Sequence, residues 1–490
     1  MSKSNLFLEQ SGELDKVQNP NLRVDLRDEF FSLKTDIDNI ESRFYKLFDE
    51  FTDDESIRNI NSELMILNNE LAIVEDEINV DLEKIISDSK EEVRCSLLDE
   101  IEDDHALVEY FVGPEYSYVL GFTKGIKVFR RFQMDSLFRT SFAEIINQIR
   151  DQPKISEYSS SLSRFKKSSG LLYNRLLKSV IDQLPPSVEF LTIVPDEQLS
   201  KLPFEVLISN EGDLSSHYNE LNYLVKDYTV SYSLSSRELD FCAEGAQLPR
   251  KRATLGLLGI GFSGNSVGGL RSGLADLPGT EKEIEFLRES FDGDFYLGDN
   301  GDKSTFLKSA KDYDVLHLAI HGEADSTDRF TSKLIFNGTD SLLFTRDLYV
   351  AGLKARLAIL SACESGTGEI NKGEGTFSIA RGFALVGVPS VVMSLWKVND
   401  RITSELMVDL HKGLSVNQSV DVALALTKRK YLLESDQYTG HPYYWSAFVS
   451  LGEKVRLNEK RPLGNFVYLG VALLILLLLS VIWVKRKGVN

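Results

Sequence analysis

RLAILSACESGTGE, residues 356–369, is an apolar run that breaks abruptly into a glycine-rich loop. Apolar residues in succession, without polar alternation, are expected of a parallel strand covered on both faces by helices. SVVMSL, residues 390–395, repeats the pattern, as does the first part of DYDVLHLAIHGEAD, residues 312–325. The same block offers strands at 253–260, 315–320, 357–361, 390–395 and 444–450, with helical stretches at 279–291, 377–386 and 402–414. Strands alternating with helices predict a doubly wound, mostly parallel α/β sheet across residues 250–453.

Upstream, residues 106–132 alternate aromatic and β-branched residues with turns, the signature of antiparallel strands. A helical stretch is expected at 171–184, with strands at 190–194 and 228–232. Residues 105–249 therefore read as a second α/β half, without an obvious reactive centre. Residues 22–104 are acidic and nearly free of glycine and proline. Leu64, Leu67, Leu71, Val74, Ile78, Leu82, Ile85 and Ile86 recur there at helical steps. That period predicts a helical or coiled-coil arm, suited to packing, self-association or a regulatory partner. Residues 1–21 are expected to be a flexible start, and no thirty-four-residue repeat is evident.

A net charge of −19 excludes nucleic acid as the main ligand, because no basic field would attract phosphates. Cys95, Cys242 and Cys363 lie far apart with no CxxC pair, which is the usage of a reducing compartment. The start carries no secretory signal pattern. Residues 466–484, FVYLGVALLILLLLSVIWV, hold no charge. As a helix they would extend roughly 28 Å, close to the thickness of a bilayer core. They are expected to form a single-pass C-terminal membrane anchor, after a juxtamembrane linker at 454–465 and before a basic tail at 485–490. The body would then be cytoplasmic, although the basic residues flanking the span are nearly balanced.

In open parallel sheets, reactive groups gather beyond the carboxyl ends of strands. His321 and Gly322 close one such strand, and Cys363 emerges just past another. A thiolate is a strong nucleophile that a neighbouring imidazole can generate. Gly322 and the N–H of Cys363 could hold the developing oxyanion. Taken singly, each residue has a plainer reading: a lone strand cysteine is commonly a small buried hydrophobe. His317, in mid-strand, reads as a core histidine with a satisfied ring. A metal site built on His317, His321, Glu323 and Asp325 lacks the HExxH arrangement, and a P-loop is absent. No cofactor or metal is expected.

Several segments in order resemble the CHAT family of caspase-like and separase-like cysteine peptidases. They are VPDEQLSKLPFEVL, DLPGTEKEIEFL, YDVLHLAIHG, LSACESGTG, GEGTFSIARGFALVGVPSVVMSLWKVND and HPYYWSAFVSLG, spread over about residues 105–453. The resemblance implies a caspase-like fold, with a non-catalytic half at 105–249 supporting a catalytic half at 250–453. It also implies a His321–Cys363 dyad, with Gly322 and the Cys363 N–H as oxyanion donors. WKVND resembles the separase segment whose acidic side chain binds a basic residue before the cleaved bond, which makes Asp400 the candidate for substrate binding. The competing role for Asp400 is N-cap of the helix expected near Ile402. The functional expectation is a membrane-anchored endopeptidase that cleaves a companion protein after a basic residue in a signal-triggered, defence-like pathway. The alternative is a catalytically silent scaffold recruiting partners through its arm.

Overall fold

A computed structural model describes residues 54–88, 101–236 except 114 and 210–214, 255–263, 277–323, 332–338, 341–361, 378–396 and 399–457, with scattered residues between 23 and 40. Its centre is one eleven-stranded sheet in the order β3-β2-β1-β4-β5-β14-β13-β12-β8-β6-β7. The first half contributes β1 (His105–Phe111), β2 (Ser117–Thr123), β3 (Ile126–Phe132), β4 (Phe190–Val194) and β5 (Thr229–Tyr232). The second contributes β6 (Leu255–Gly261), β7 (Gly293–Leu297), β8 (Tyr313–Ala319), β12 (Leu357–Leu360), β13 (Ser390–Ser394) and β14 (Phe448–Gly452). A separate three-stranded sheet holds β9 (His321–Glu323), β10 (Lys333–Ile335) and β11 (Leu342–Phe344).

The meander β1–β2–β3 is antiparallel, as its alternating pattern predicts. Most other neighbours are parallel, and β14 reverses to run antiparallel to β13. The 444–450 stretch thus divides. Pro442–Trp445 forms a helical turn, because proline suits a first helical turn, and the strand starts only at Phe448. The two halves meet where β14 lies parallel to β5, so the sheet passes from one to the other without a break.

Helices cover both faces. On one face, α2 (Ser136–Arg150), α3 (Tyr158–Leu176), α5 (Lys303–Ser309) and α6 (Ser378–Leu385) bury Phe138, Phe165, Phe306 and Phe383 in a core that reaches across both halves. On the other, α4 (Pro278–Ser290), α7 (Asp400–Ser415) and α8 (Val420–Glu434) pack Ile284, Leu287, Leu406, Leu410 and Leu424 against Val315, Ile359 and Val392. The alternation of β12 explains the arrangement: Leu357 and Ile359 face the second core, Ala358 and Leu360 the first. At roughly 25 cal/mol per Å2 of apolar surface, burial of each such leucine or isoleucine contributes about 1.5–3 kcal/mol.

The arm contains α1 (Asp54–Asp88), thirty-five residues long. Leu71, Val74 and Ile78 on it pack against Leu26, Phe30, Leu33 and Ile37 as a cluster of their own. Among the described residues no helix is long and apolar enough to cross a membrane. The expected anchor at 466–484 lies outside the described residues, as do its linker beyond 457 and the basic tail.

Candidate active site

The parallel strands β13, β12 and β8 are adjacent, and each candidate position follows the carboxyl end of one of them. Next to β8, β6 is the point where connections leave in opposite directions, to β7 on one side and β8 on the other. That reversal opens a crevice at the strand ends.

His321 follows β8 after Ile320 and begins β9, where it is buried, 1% exposed. Its ring stands edge-on to Phe262, with centroids 4.7 Å apart at 77°. Phe262 is itself held at the end of β6 by its N–H donating to Ala319 O at 2.9 Å. Gly322 pairs with Leu334 across β9 and β10. Asn337, fully buried, clamps this corner: its Nδ2 donates to Ser263 O at 2.8 Å and its Oδ1 accepts from Ser263 N at 3.3 Å. The end of β10 is thereby tied to the end of β6, which fixes the turn that carries His321.

Cys363 lies outside the described residues. The chain leading to it is described as far as Ser361. Leu360 is in register with Leu318, and the Ser361 N–H donates to Leu318 O at 3.1 Å. The strand that leads to Cys363 therefore runs in step with the strand that leads to His321.

Asp400 opens α7 but does not cap it. Asn399 is the N-cap, its Oδ1 accepting from Ile402 N at 3.4 Å, so the capping role expected of Asp400 near Ile402 belongs to its neighbour. The Asp400 carboxylate instead accepts from the N–H of Gly279 in the first turn of α4. A negative group at a helix N-terminus is favourable, because it meets unpaired N–H groups and the positive end of the dipole. Gly279 permits the approach. A Cβ there would lie 2.5 Å from Asp400 O and 2.7 Å from its carboxylate.

His317 is a buried core histidine with both ring nitrogens engaged, as expected for mid-strand. Nε2 lies 3.0 Å from Glu283 Oε2, and Nδ1 lies 3.1 Å from His411 Nε2. Its engagement in the core leaves it no part in a metal site with His321 and Glu323. No cluster suited to a metal ion occurs among the described residues; Asp325 is not among these. Sequence reasoning missed Glu283, Asn337, Ser361 and His411. Glu283 and Ser361 sit within the quoted segments DLPGTEKEIEFL and LSACESGTG. No periodic signal marks Asn337 or His411.

A mostly parallel sheet wound on both faces, with a histidine-glycine corner beyond the end of β8, defines a mixed α/β protein. The chain belongs to the CHAT domain family, whose model matches residues 166–453. The match begins after β1–β3, which extend the same sheet. Over 122 residues the chain is 25% identical to the mouse (Mus musculus) tetratricopeptide repeat protein 28. That alignment takes in 24% of this chain and spans 5% of the length of its relative. Among solved structures, the Saccharomyces cerevisiae separase–securin complex aligns with a TM-score of 0.43 and 12% identity, over 73% of this chain and 30% of that one. The Arg-specific cysteine proteinase gingipain R aligns with a TM-score of 0.33 and 10% identity, over 64% of this chain and 74% of that one.

Proposed function

We propose that this chain is a cysteine endopeptidase in which His321 activates Cys363. The observation that carries the reading is the pairing of β8 with β12, with Ser361 N–H on Leu318 O, at the ends that lead to the two residues. In the reaction His321 takes the thiol proton and the thiolate attacks the peptide carbonyl. The N–H groups of Gly322 and Cys363 receive the oxyanion. Collapse of the tetrahedral adduct breaks the C–N bond, with the proton on His321 passing to the leaving amine. Water then attacks the thioester, His321 again accepting a proton, and the acid product leaves the free thiol. No cofactor or metal enters this scheme.

Asp400 selects a basic residue before the scissile bond, a carboxylate being the natural partner of Arg or Lys. Residues 466–484 anchor the chain in a membrane, which restricts the substrate to a companion protein near that surface. The arm receives the activating signal or a second copy.

The test is hydrolysis of fluorogenic peptides by the full-length chain, with Arg, Lys or neutral residues before the scissile bond. Cys363→Ala and His321→Ala are each expected to lower the rate by about 10^3-fold or more, and Asp400→Ala to erode the preference for Arg and Lys. Wild-type activity retained in Cys363→Ala would overturn the reading. Removal of residues 462–490 is expected to release the chain from membrane fractions; retention there would refute the anchor.

A further inference from the structure

Beneath the ends of β8 and β12 lies a polar cluster sealed from solvent. Glu283 on α4, His317 on β8, Ser361 after β12 and His411 on α7 are each at most 3% exposed. Ser361 Oγ donates to Glu283 Oε2 at 2.9 Å, and the same oxygen lies 3.0 Å from His317 Nε2. His317 Nδ1 lies 3.1 Å from His411 Nε2.

Chemistry assigns the hydrogens. Burial, and then the neighbouring His317, hold His411 well below the ordinary imidazole range. It is therefore neutral, with a single N–H. Its Nδ1 has no hydrogen-bond partner, so a hydrogen there would be a buried unsatisfied donor. Placed on Nε2, the hydrogen donates to His317 Nδ1, and His317 Nε2–H is left to donate to Glu283. Glu283 thus receives two hydrogen bonds, one relayed from α7 through β8 and one from Ser361.

Apolar side chains of similar size would hold these layers together at no cost in desolvation, so stability alone does not account for a buried carboxylate here. The location does. Ser361 stands two residues before Cys363, and its backbone is already bonded to Leu318, three residues before His321. With its hydroxyl also fixed, the last residue but one before Cys363 is held by both main chain and side chain. Displacing a reacting group by 1 Å can cost about a hundredfold in rate.

We propose that Glu283 is a positioning residue. It grips the Ser361 hydroxyl and so sets where the chain leaves β12 to bring Cys363 to His321, while His317 and His411 keep its carboxylate aimed. This inference rests on the Cys363–His321 reading.

The test is alkylation of Cys363 by iodoacetamide in the full-length chain, followed on its own peptide by mass spectrometry at pH 6 and pH 9. At pH 9 an ordinary thiol is largely ionised, so that rate reports access. The ratio of the two rates reports how far His321 stabilises the thiolate. His321→Ala is expected to lower the ratio more than tenfold. Ser361→Ala and Glu283→Met, which keeps the side-chain length but removes both acceptor oxygens, are expected to lower it about tenfold. Ser361→Thr, which keeps the hydroxyl, should retain the wild-type ratio. If Ser361→Ala fails to fold, as judged by its melting curve, Glu283→Met and Ser361→Thr decide the question. A ratio within twofold of wild type in folded Glu283→Met, with only the melting temperature reduced, would overturn the inference and leave the dyad standing. An unchanged ratio in His321→Ala would refute the dyad reading itself and the inference with it.

Discussion

Asp400 illustrates how one carboxylate can serve a helix it does not belong to. It sits at the start of α7 and meets the N–H of Gly279 in α4, joining the N-termini of the two helices that cover one face of the sheet. Asp400→Asn keeps the shape but removes the charge. It should lower stability by about 1 kcal/mol, the usual magnitude for a charge lost from a helix N-terminus, measurable by urea unfolding. Gly279→Ala is expected to cost more, about 1–3 kcal/mol, because its Cβ would meet backbone and must push the helices apart. An alanine variant as stable as wild type would show that the contact is slack.

At the scale of elements, α8 belongs to the second half by sequence and serves the first by packing. Lys428, 2% exposed, places Nζ 2.7 Å from Glu205 Oε1, in the segment between β4 and β5. Tyr232, at the end of β5, donates its hydroxyl to the other Glu205 oxygen and accepts from Phe204 N at 2.7 Å. Burial, reinforced by the Glu205 charge, holds the Tyr232 phenol well above its ordinary range, so it remains a donor. Arg429 Nε adds a bond to Val225 O at 2.6 Å. A buried pair is weak grounds for stability in itself, yet removing one member strands the other charge. Lys428→Met should therefore cost about 3–5 kcal/mol by denaturant unfolding, and Lys428→Met with Glu205→Gln should recover much of that loss. No recovery in the double variant would mean that packing, not charge, carries the joint.

At the scale of the molecule, three buried histidines make the fold sensitive to acid. Burial and then the Lys454 charge lower His105 to about 3, burial lowers His441 to about 3, and His411 lies well below its ordinary 6.5. Above pH 6.5 the folded and unfolded chains are both neutral at these sites, and nothing is lost. Below it the unfolded chain takes up protons that the folded chain refuses, so stability falls with pH, for His105 and His441 down to about pH 3. Each such group costs about 2 kcal/mol at pH 5. Thermal melting should show the midpoint dropping steeply between pH 7 and pH 5. His441→Asn, which keeps a side-chain acceptor for Tyr443 N–H, should flatten that drop, and an unchanged slope would remove His441 from the account.

Much of this architecture is legible in the order of residues. Apolar runs such as Leu357–Leu360 and the inner residues of Ser390–Ser394 become strands, because a strand covered on both faces is apolar at nearly all of its inner positions. The helix starts at Pro278, a proline in a first turn, and at Asn399, a side-chain cap, follow equally local rules, as does the alternation of the β1–β3 meander. His321, Gly322 and Asp400 stand out because each closes or follows a run of that kind. Other features depend on residues far apart in the chain. The passage of the sheet from β5 to β14 joins residues 232 and 451, and α8, whose apolar residues do not gather on one stripe, is buried from both halves at once. The Glu283–His317–His411–Ser361 cluster draws single polar residues from four elements. Periodicity reports which face of an element is apolar, and it carries no record of which polar side chains meet after the layers close. A buried hydrogen bond is decided by that closure, since its partners have no preference for one another until water is excluded from between them.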